Sequence, residues 1–442
     1  MDDAIKTLID FVKIESVKGE PQENAPFGPK VRQALDFILD KGKSLGFTIR
    51  DIDGYAGEIE YGSGNDEVIG ILTHADVVPL GDGWTRSQGE IYEGRIYGRG
   101  VVDDKGPTVA VLYALKQIKE EGIKLNKTVR LIIGCDEESG CGCMEYYKKL
   151  GRMPQLGFSP DSDFPLIICE KTILQLKATL PLDNFWKDNI LEFAAGLRVN
   201  MVPEKAQIKI KKSALPGYYQ ELIQKYKAEA EEDQDAVALR FFGVSAHGST
   251  PQLGDNAIWK VFNFLIDIGA WGITKTIRHY LLNENACKNM GVYIDDGSRS
   301  GEQTLNVGTA YYDKDNNILE LDLDFRCPIN QKIQNIINRL SDLFSGGKFE
   351  VTHHMPYLYA DPESFLVKSL IASYEKVTGN TDSKGIITGG GTYARYLQNG
   401  VAFGPTFPGE ESRIHNYDES ISLDNFYKLI EIYKDAIINL AK

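Results

Sequence analysis

Val68-Ile69-Gly70-Ile71-Leu72-Thr73-His74-Ala75-Asp76-Val77-Val78-Pro79 says more about the fold than any other stretch of this chain. Its apolar run predicts a buried strand over 68–72, and the run ends in an imidazole and a carboxylate. Residues two apart on an extended segment point the same way, so Asp76 can fix the His74 tautomer only if the chain bends just past the strand. The pattern recurs downstream, where a second apolar strand predicted over 129–134 runs straight into Asp136-Glu137-Glu138. With a helix near the start and another over 107–121, the alternation predicts an α/β domain with a mostly parallel central sheet. Such sheets carry their ligand sites at the carboxyl ends of the strands.

From 173 the texture changes to alternating strands over 173–180, 205–211, 236–244, 307–312 and 318–326. Helices are predicted between them over 217–232, 256–270 and 331–344, which reads as α+β with an antiparallel sheet. After 356 the opening style returns, with a helix over 364–378, the turn Gly389-Gly390-Gly391, and a final helix over 423–440. The simplest organisation is a discontinuous catalytic domain, 1–172 and 356–442, interrupted by an inserted α+β lid domain, 173–355. A chain of 442 residues, 42% hydrophobic, has the length and apolar content for two such cores.

A formal net charge of −14 disfavours nucleic acid and anionic membrane surfaces as partners. The six cysteines form neither a disulfide framework nor paired zinc-type spacing, which suggests a reducing compartment. The opening residues carry neither a basic leader nor a long apolar run, and no later run reaches the roughly 18 apolar residues of a membrane span. A soluble, cytoplasmic protein is expected.

The scarce histidines fall beside carboxylates. His74 precedes Asp76; Asp103-Asp104 crowds two carboxylates at a turn before a helix; Pro408-Gly409-Glu410-Glu411-Ser412-Arg413-Ile414-His415 offers a second imidazole; and Ser159-Pro160-Asp161-Ser162-Asp163 offers further oxygens. Imidazole nitrogen with carboxylate oxygen suits a divalent cation, and adjacent glutamates leaving a strand on opposite sides can supply a ligand and a base together. Each segment has a plainer reading when taken singly. Asp103 or Asp104 could cap the following helix, and the 136–138 triplet could be a solvated acidic loop. His279, His353 and His354 lack such a context, and Arg326 after Asp322 and Asp324 could belong to a charge ladder on a strand surface.

In order, His-x-Asp-Val-Val-Pro, Tyr-Gly-Arg-Gly-x-x-Asp-Asp-Lys-Gly-Pro, Asp-Glu-Glu-Ser-Gly, Ser-Pro-Asp-x-x-Phe-Pro and the late Pro-Gly-x5-His resemble a zinc-dependent metallopeptidase superfamily. Its members include carboxypeptidase G, aminoacylase, succinyl-diaminopimelate desuccinylase and dipeptidases of the PepV and carnosinase type. The resemblance implies two divalent metal ions, zinc first, with manganese or cobalt as alternatives. His74, Asp103 and Asp161 would hold one metal, and Asp103, Glu138 and His415 the other, so Asp103 would bridge. Glu137 would be the general base, Asp76 would orient His74, and the Asp103–Asp104 peptide would be cis.

The insertion adds Gly243-Val244-Ser245-Ala246-His247-Gly248-Ser249-Thr250-Pro251, which resembles the family's lid segment, with His247 as oxyanion donor. Read without the resemblance, His247 could bond within its own loop. Asn200 and Arg326 match lid residues that hold substrate in the PepV type. Asp161, the length of the insertion and the Gly389-Gly390-Gly391 loop resemble the dipeptidase branch. The resemblance therefore implies hydrolysis of unblocked dipeptides, with an N-acyl amino acid deacylase or desuccinylase as the alternative. The implied partner is a small peptide substrate, and the chain would act as monomer or homodimer. Departures are Ser87-Gln88-Gly89, where relatives often have Pro-Phe, and the cluster Cys135, Cys141 and Cys143, read as buried small residues, with extra soft ligands or a redox switch as the alternatives.

Overall fold

A computed structural model describes the chain apart from positions 1, 63, 65, 66, 295, 298, 299 and 412; the last lies within the late Pro-Gly motif. Two compact units emerge. The first comprises Met1–Cys169, Leu358–Ile387 and Gly391–Lys442, and the second Glu170–Tyr357 and Thr388–Gly390.

The first unit is built on a nine-stranded mixed sheet. Its centre is parallel: Thr128–Gly134, Val68–His74, Leu156–Ser159 and Asn399–Ala402 lie side by side in that order. Its flanks are antiparallel, because the hairpin of Thr48–Ile52 and Ala56–Gly62 extends one side and Ile167–Glu170 the other. The expected mostly parallel sheet thus describes the central strands only. Every residue of Thr128–Gly134 is buried, as a strand covered on both faces requires. The helix Lys105–Glu120 packs on this sheet and against the helices Asp3–Val12 and Leu423–Ala441, and is itself almost wholly buried. Gly134 has to be glycine, since a Cβ there would meet the Tyr393 ring at 2.5 Å.

The second unit holds an eight-stranded sheet whose neighbours all run antiparallel. Side chains such as Leu174, Phe193, Ile208, Leu239, Leu323 and Phe325 form its core with helix residues that include Ile258 and Phe262. One local expectation fails. The helix expected over 217–232 is Tyr219–Tyr226, closed by Lys227 at φ 53°, and Glu229–Glu232 becomes an edge strand. The strand Ile190–Ala195 and the helix Ile273–Tyr280 add to the elements that the sequence pattern marks.

Candidate metal centre

Three adjacent parallel strands deliver their carboxyl ends to one place. His74 ends its strand in register with Gly134, after which the neighbouring strand continues into Asp136-Glu137-Glu138. Asp161 follows Leu156–Ser159, the strand on the other side. Asp103 arrives from the turn before the helix Lys105–Glu120, across a cis peptide to Asp104. His415 comes from the loop before Ser420–Ser422 and has a left-handed φ of 63°, a conformation uncommon outside glycine and frequent at functional positions.

Asp103 faces both imidazoles through separate oxygens. Its Oδ1 lies 2.9 Å from His74 Nε2 and its Oδ2 3.0 Å from His415 Nε2. The same His415 nitrogen lies 3.0 Å from Glu138 Oε2, and Asp161 Oδ2 lies 3.8 Å from His74 Nε2. Two groups with ligand atoms within 4.8 Å of one another result: Asp103, Glu138 and His415, and His74, Glu137 and Asp161. Glu137 therefore stands among the potential ligands of the His74 group as well as beside them.

The Asp76 carboxylate does less for His74 than the sequence suggests. The nearer acceptor for His74 Nδ1 is the Asp76 backbone carbonyl at 2.9 Å, with the carboxylate at 3.5 Å. That carbonyl favours a proton on Nδ1 and turns Nε2 towards a ligand. The carboxylate instead accepts the backbone amides of Glu137 and Glu138, each at 3.1 Å, and so clamps the dipeptide. Asp104 occupies the N-cap position without capping; its carboxylate accepts the His74 amide at 3.2 Å. Asp136 is bound by Lys18, Ser139 and the Gly142 amide, which makes it a brace of its loop.

The electrostatics call for a cation. Burial pushes Glu137 up to about 8 and raises Glu138, with Asp161 and Asp104 driven well above the carboxylate range. Burial also opposes ionisation of Asp103, but hydrogen bonds with His415 and His74 outweigh it and hold that carboxyl below its ordinary value. For His415 burial works against protonation, yet Asp103 and Glu138 prevail and lift it to about 11. Among the described residues, the ion-pair partners of Asp103, Glu138 and Asp161 are these two histidines. Among the described residues, Glu138 Oε1 and Asp104 Oδ1 are buried without hydrogen-bond partners. Crowded carboxylates, two imidazole nitrogens and orphaned oxygens fit divalent cations with mixed nitrogen and oxygen preference.

Sequence reasoning missed Glu419. Fully buried, it accepts the amides of Gly100, Val102 and Asp103 at 3.0, 2.9 and 3.3 Å, and Arg99 Nη1 at 2.7 Å. Its spacing of four residues from His415 was the available signal. Cys135, Cys141 and Cys143 are buried, and burial raises all three thiols, so they resist ionisation.

Asn200, His247 and Arg326 lie in the second unit. His247 is exposed and pairs by a bridge with Met201; its Nδ1 lies 2.6 Å from Ser249 Oγ, so the bond within its own loop exists. The Gly248 amide donates to Asn200 O at 2.7 Å. Arg326 is buried rather than part of a surface ladder. Its Nε and Nη2 donate to Asp324, and its Nη1 donates to Gly389 O at 2.7 Å.

Residues 70–439 match the model of peptidase family M20/M25/M40. "Putative dipeptidase YtjP" of Bacillus subtilis is 38% identical over 462 residues, spanning 100% of this chain and 98% of that protein. A similarly named Staphylococcus aureus protein is 35% identical over 463 residues, spanning 99% and 97%. Among solved structures, human carnosine dipeptidase 1 shares the fold at a TM-score of 0.60 and 15% identity, covering 100% of this chain and 97% of that one. The aminopeptidase PepT of Bacillus cereus does so at 0.61 and 18%, covering 99% of each. No helix among the described residues is long and apolar enough to cross a membrane. With the match running through every segment that carries the histidines and carboxylates, the chain belongs to peptidase family M20/M25/M40.

Proposed function

We propose that this protein is a dinuclear metal-dependent dipeptidase acting on unblocked dipeptides, with zinc as the first choice of metal. The observation that carries the proposal is Asp103 spanning His74 and His415 through its two oxygens, with the half-buried Glu137 grouped beside His74 and Asp161. His74, Asp103 and Asp161 would hold one cation, and Asp103, Glu138 and His415 the other. Bound there, the cations would polarise the scissile carbonyl and acidify the attacking water.

The chain's own groups supply the rest. Glu137 takes a proton from the attacking water and returns it to the leaving amine; burial, which favours its protonated form, suits the second half of that task. The Asp76 clamp on the Glu137 and Glu138 amides keeps base and ligand in register. His247 stabilises the oxyanion, while Asn200 and Arg326 recognise the C-terminal end of the substrate, Arg326 through the Nη1 corner now given to Gly389 O. The names of YtjP and its Staphylococcus aureus counterpart support the dipeptide class.

The test is hydrolysis by metal-stripped protein, restored with zinc or manganese, of Xaa-Ala dipeptides against N-acetyl and N-succinyl amino acids. Metal-dependent cleavage of the dipeptides alone is expected. Preference for the blocked substrates would replace the dipeptidase by a deacylase.

A further inference from the structure

We infer that Asp324 and Asn306 are positioning residues, fixing the Arg326 guanidinium and the Asn200 turn respectively; the substrate part of this inference rests on the dipeptidase reading above. Thr304–Asp313 and Ile318–Cys327 pair antiparallel, with Asn306 opposite Asp324 and Thr304 opposite Arg326. Directly opposed and alternate residues share one face of a sheet, so these four side chains stand together. The intervening pair, Leu305 and Phe325, belongs to the apolar core. Asn306, Asp324 and Arg326 are nonetheless all buried.

Asn306 and Arg326 each donate to loop carbonyls, and Asp324 holds Arg326. Asn306 Nδ2 donates to Val199 O at 3.0 Å and Met201 O at 2.8 Å, bracketing Asn200. Asn200 O in turn accepts the Gly248 amide at 2.7 Å, beside His247. Asp324 meets Arg326 Nε with both oxygens, at 3.1 and 3.2 Å, and Nη2 at 2.9 Å. A Cβ on Gly248 would lie 2.6 Å from Asp324 Oδ2, so the 247–249 loop rests directly on this carboxylate.

A buried ion pair adds little to stability compared with well-packed apolar side chains of similar volume, so its value lies in the geometry it imposes. Asp324 grips the Nε and Nη2 edge of the guanidinium and orients the Nη1 corner, where a substrate carboxylate would exchange with Gly389 O.

The experiment is steady-state kinetics of the metal-loaded full chain on an Xaa-Ala dipeptide and its amide, for wild type, Asp324→Asn, Arg326→Gln and the double variant. Asp324→Asn is expected to raise KM for the dipeptide by about tenfold or more, with a smaller effect on the amide. The double variant is expected to be no worse than Arg326→Gln, because Asp324 acts through Arg326. Equal losses on both substrates, or additive losses, would overturn the assignment. Should Asp324→Asn fail to fold, Asp324→Glu keeps the counter-charge and displaces the guanidinium, and a dipeptide KM unchanged from wild type would overturn the assignment.

Hydrogen exchange supplies a readout independent of activity. Asn306→Ala should speed exchange of the Gly248 amide roughly tenfold or more beyond any change at the core amides of Leu323 and Phe325, and an unchanged or uniform exchange would overturn the role of Asn306. If wild type cleaves no dipeptide, the dipeptidase reading and the carboxylate part of the inference fall. Exchange at Gly248 still decides whether Asn306 positions the Asn200 turn.

Discussion

Glu419→Gln tests whether one buried carboxylate holds the turn that presents Asp103. Glutamine keeps the shape, but if its carbonyl faces the Gly100, Val102 and Asp103 amides its NH2 must face Arg99. The buried guanidinium then loses its counter-charge and meets a donor. Breaking a buried pair from one side costs roughly 3–5 kcal/mol. Arg99 Nη2 also reaches the Pro79 and Leu80 carbonyls at 3.4 and 3.3 Å, which places the expected cost at the lower end. At roughly 2–4 °C per kcal/mol, the metal-free protein should lose about 6–12 °C in Tm by calorimetry. The freed Asp103 turn should also weaken zinc binding by ~10-fold or more in competition with a chelator, as mutations behind metal ligands do. A fall of less than about 2 °C with unchanged zinc affinity would contradict this role for Glu419, since both readouts depend on the same four hydrogen bonds.

Glu137→Gln should retain both metals by elemental analysis yet lose at least ~10²-fold in kcat, and normal turnover would remove the base from the mechanism. Asp103→Ala deletes both oxygens facing His74 and His415, so the purified variant should be depleted of metal. His247→Ala should lower kcat by ~10²–10³-fold with little change in KM, whereas a pure KM effect would make it a binding residue. Glu137, raised from 4.5 to about 8, together with raised Glu138 and Asp161, gives the metal-free chain stability that is complete below the ordinary carboxylate range and lost as pH rises through the folded values. The raised His415 loses its share in the same direction, from above 6.5 through about 11, and lowered Asp103 opposes them only in acid. The Tm of metal-free protein should therefore fall between about pH 5 and pH 8, the window set by Glu137, and zinc should flatten the profile; a rise over that range would contradict the shifts.

Local pattern made much of the fold legible. The strand expected over 205–211 is Lys205–Lys211, and the helices expected over 364–378 and 423–440 are Phe365–Thr378 and Leu423–Ala441, because strong periodicity and serine caps at 364 and 422 mark them. The run 217–232 misled for a physical reason. Its charged, straight-chain residues favour helix, but Lys227 adopts a left-handed conformation and the edge of Ala236–Phe242 recruits Glu229–Glu232 through backbone bonds that require no apolar side chain. The flanking hairpin of Thr48–Ile52 and Ala56–Gly62 turned a parallel expectation into a mixed sheet, since pairing direction depends on connections rather than on strand composition.

Legibility of the site follows a similar division. His74, Asp103, Glu137, Glu138, Asp161 and His415, the residues proposed to hold metal and move protons, stand out because the chain has only six histidines and because the carboxylates cluster at strand ends and turns. Glu419, Asn306 and Asp324 act on backbone atoms or on another side chain, so nothing adjacent in sequence marks them. Glu419 reaches the amides of a turn more than 300 residues away, and Asn306 the carbonyls on either side of Asn200. Such residues become visible only once burial removes water as their alternative partner, because a buried acceptor or donor has to be satisfied by whatever the fold places beside it. The same condition makes them testable. A group that acts through geometry should give way to an isosteric change such as Glu419→Gln, which leaves volume intact while it removes the counter-charge of Arg99 and turns one hydrogen-bond acceptor into a donor.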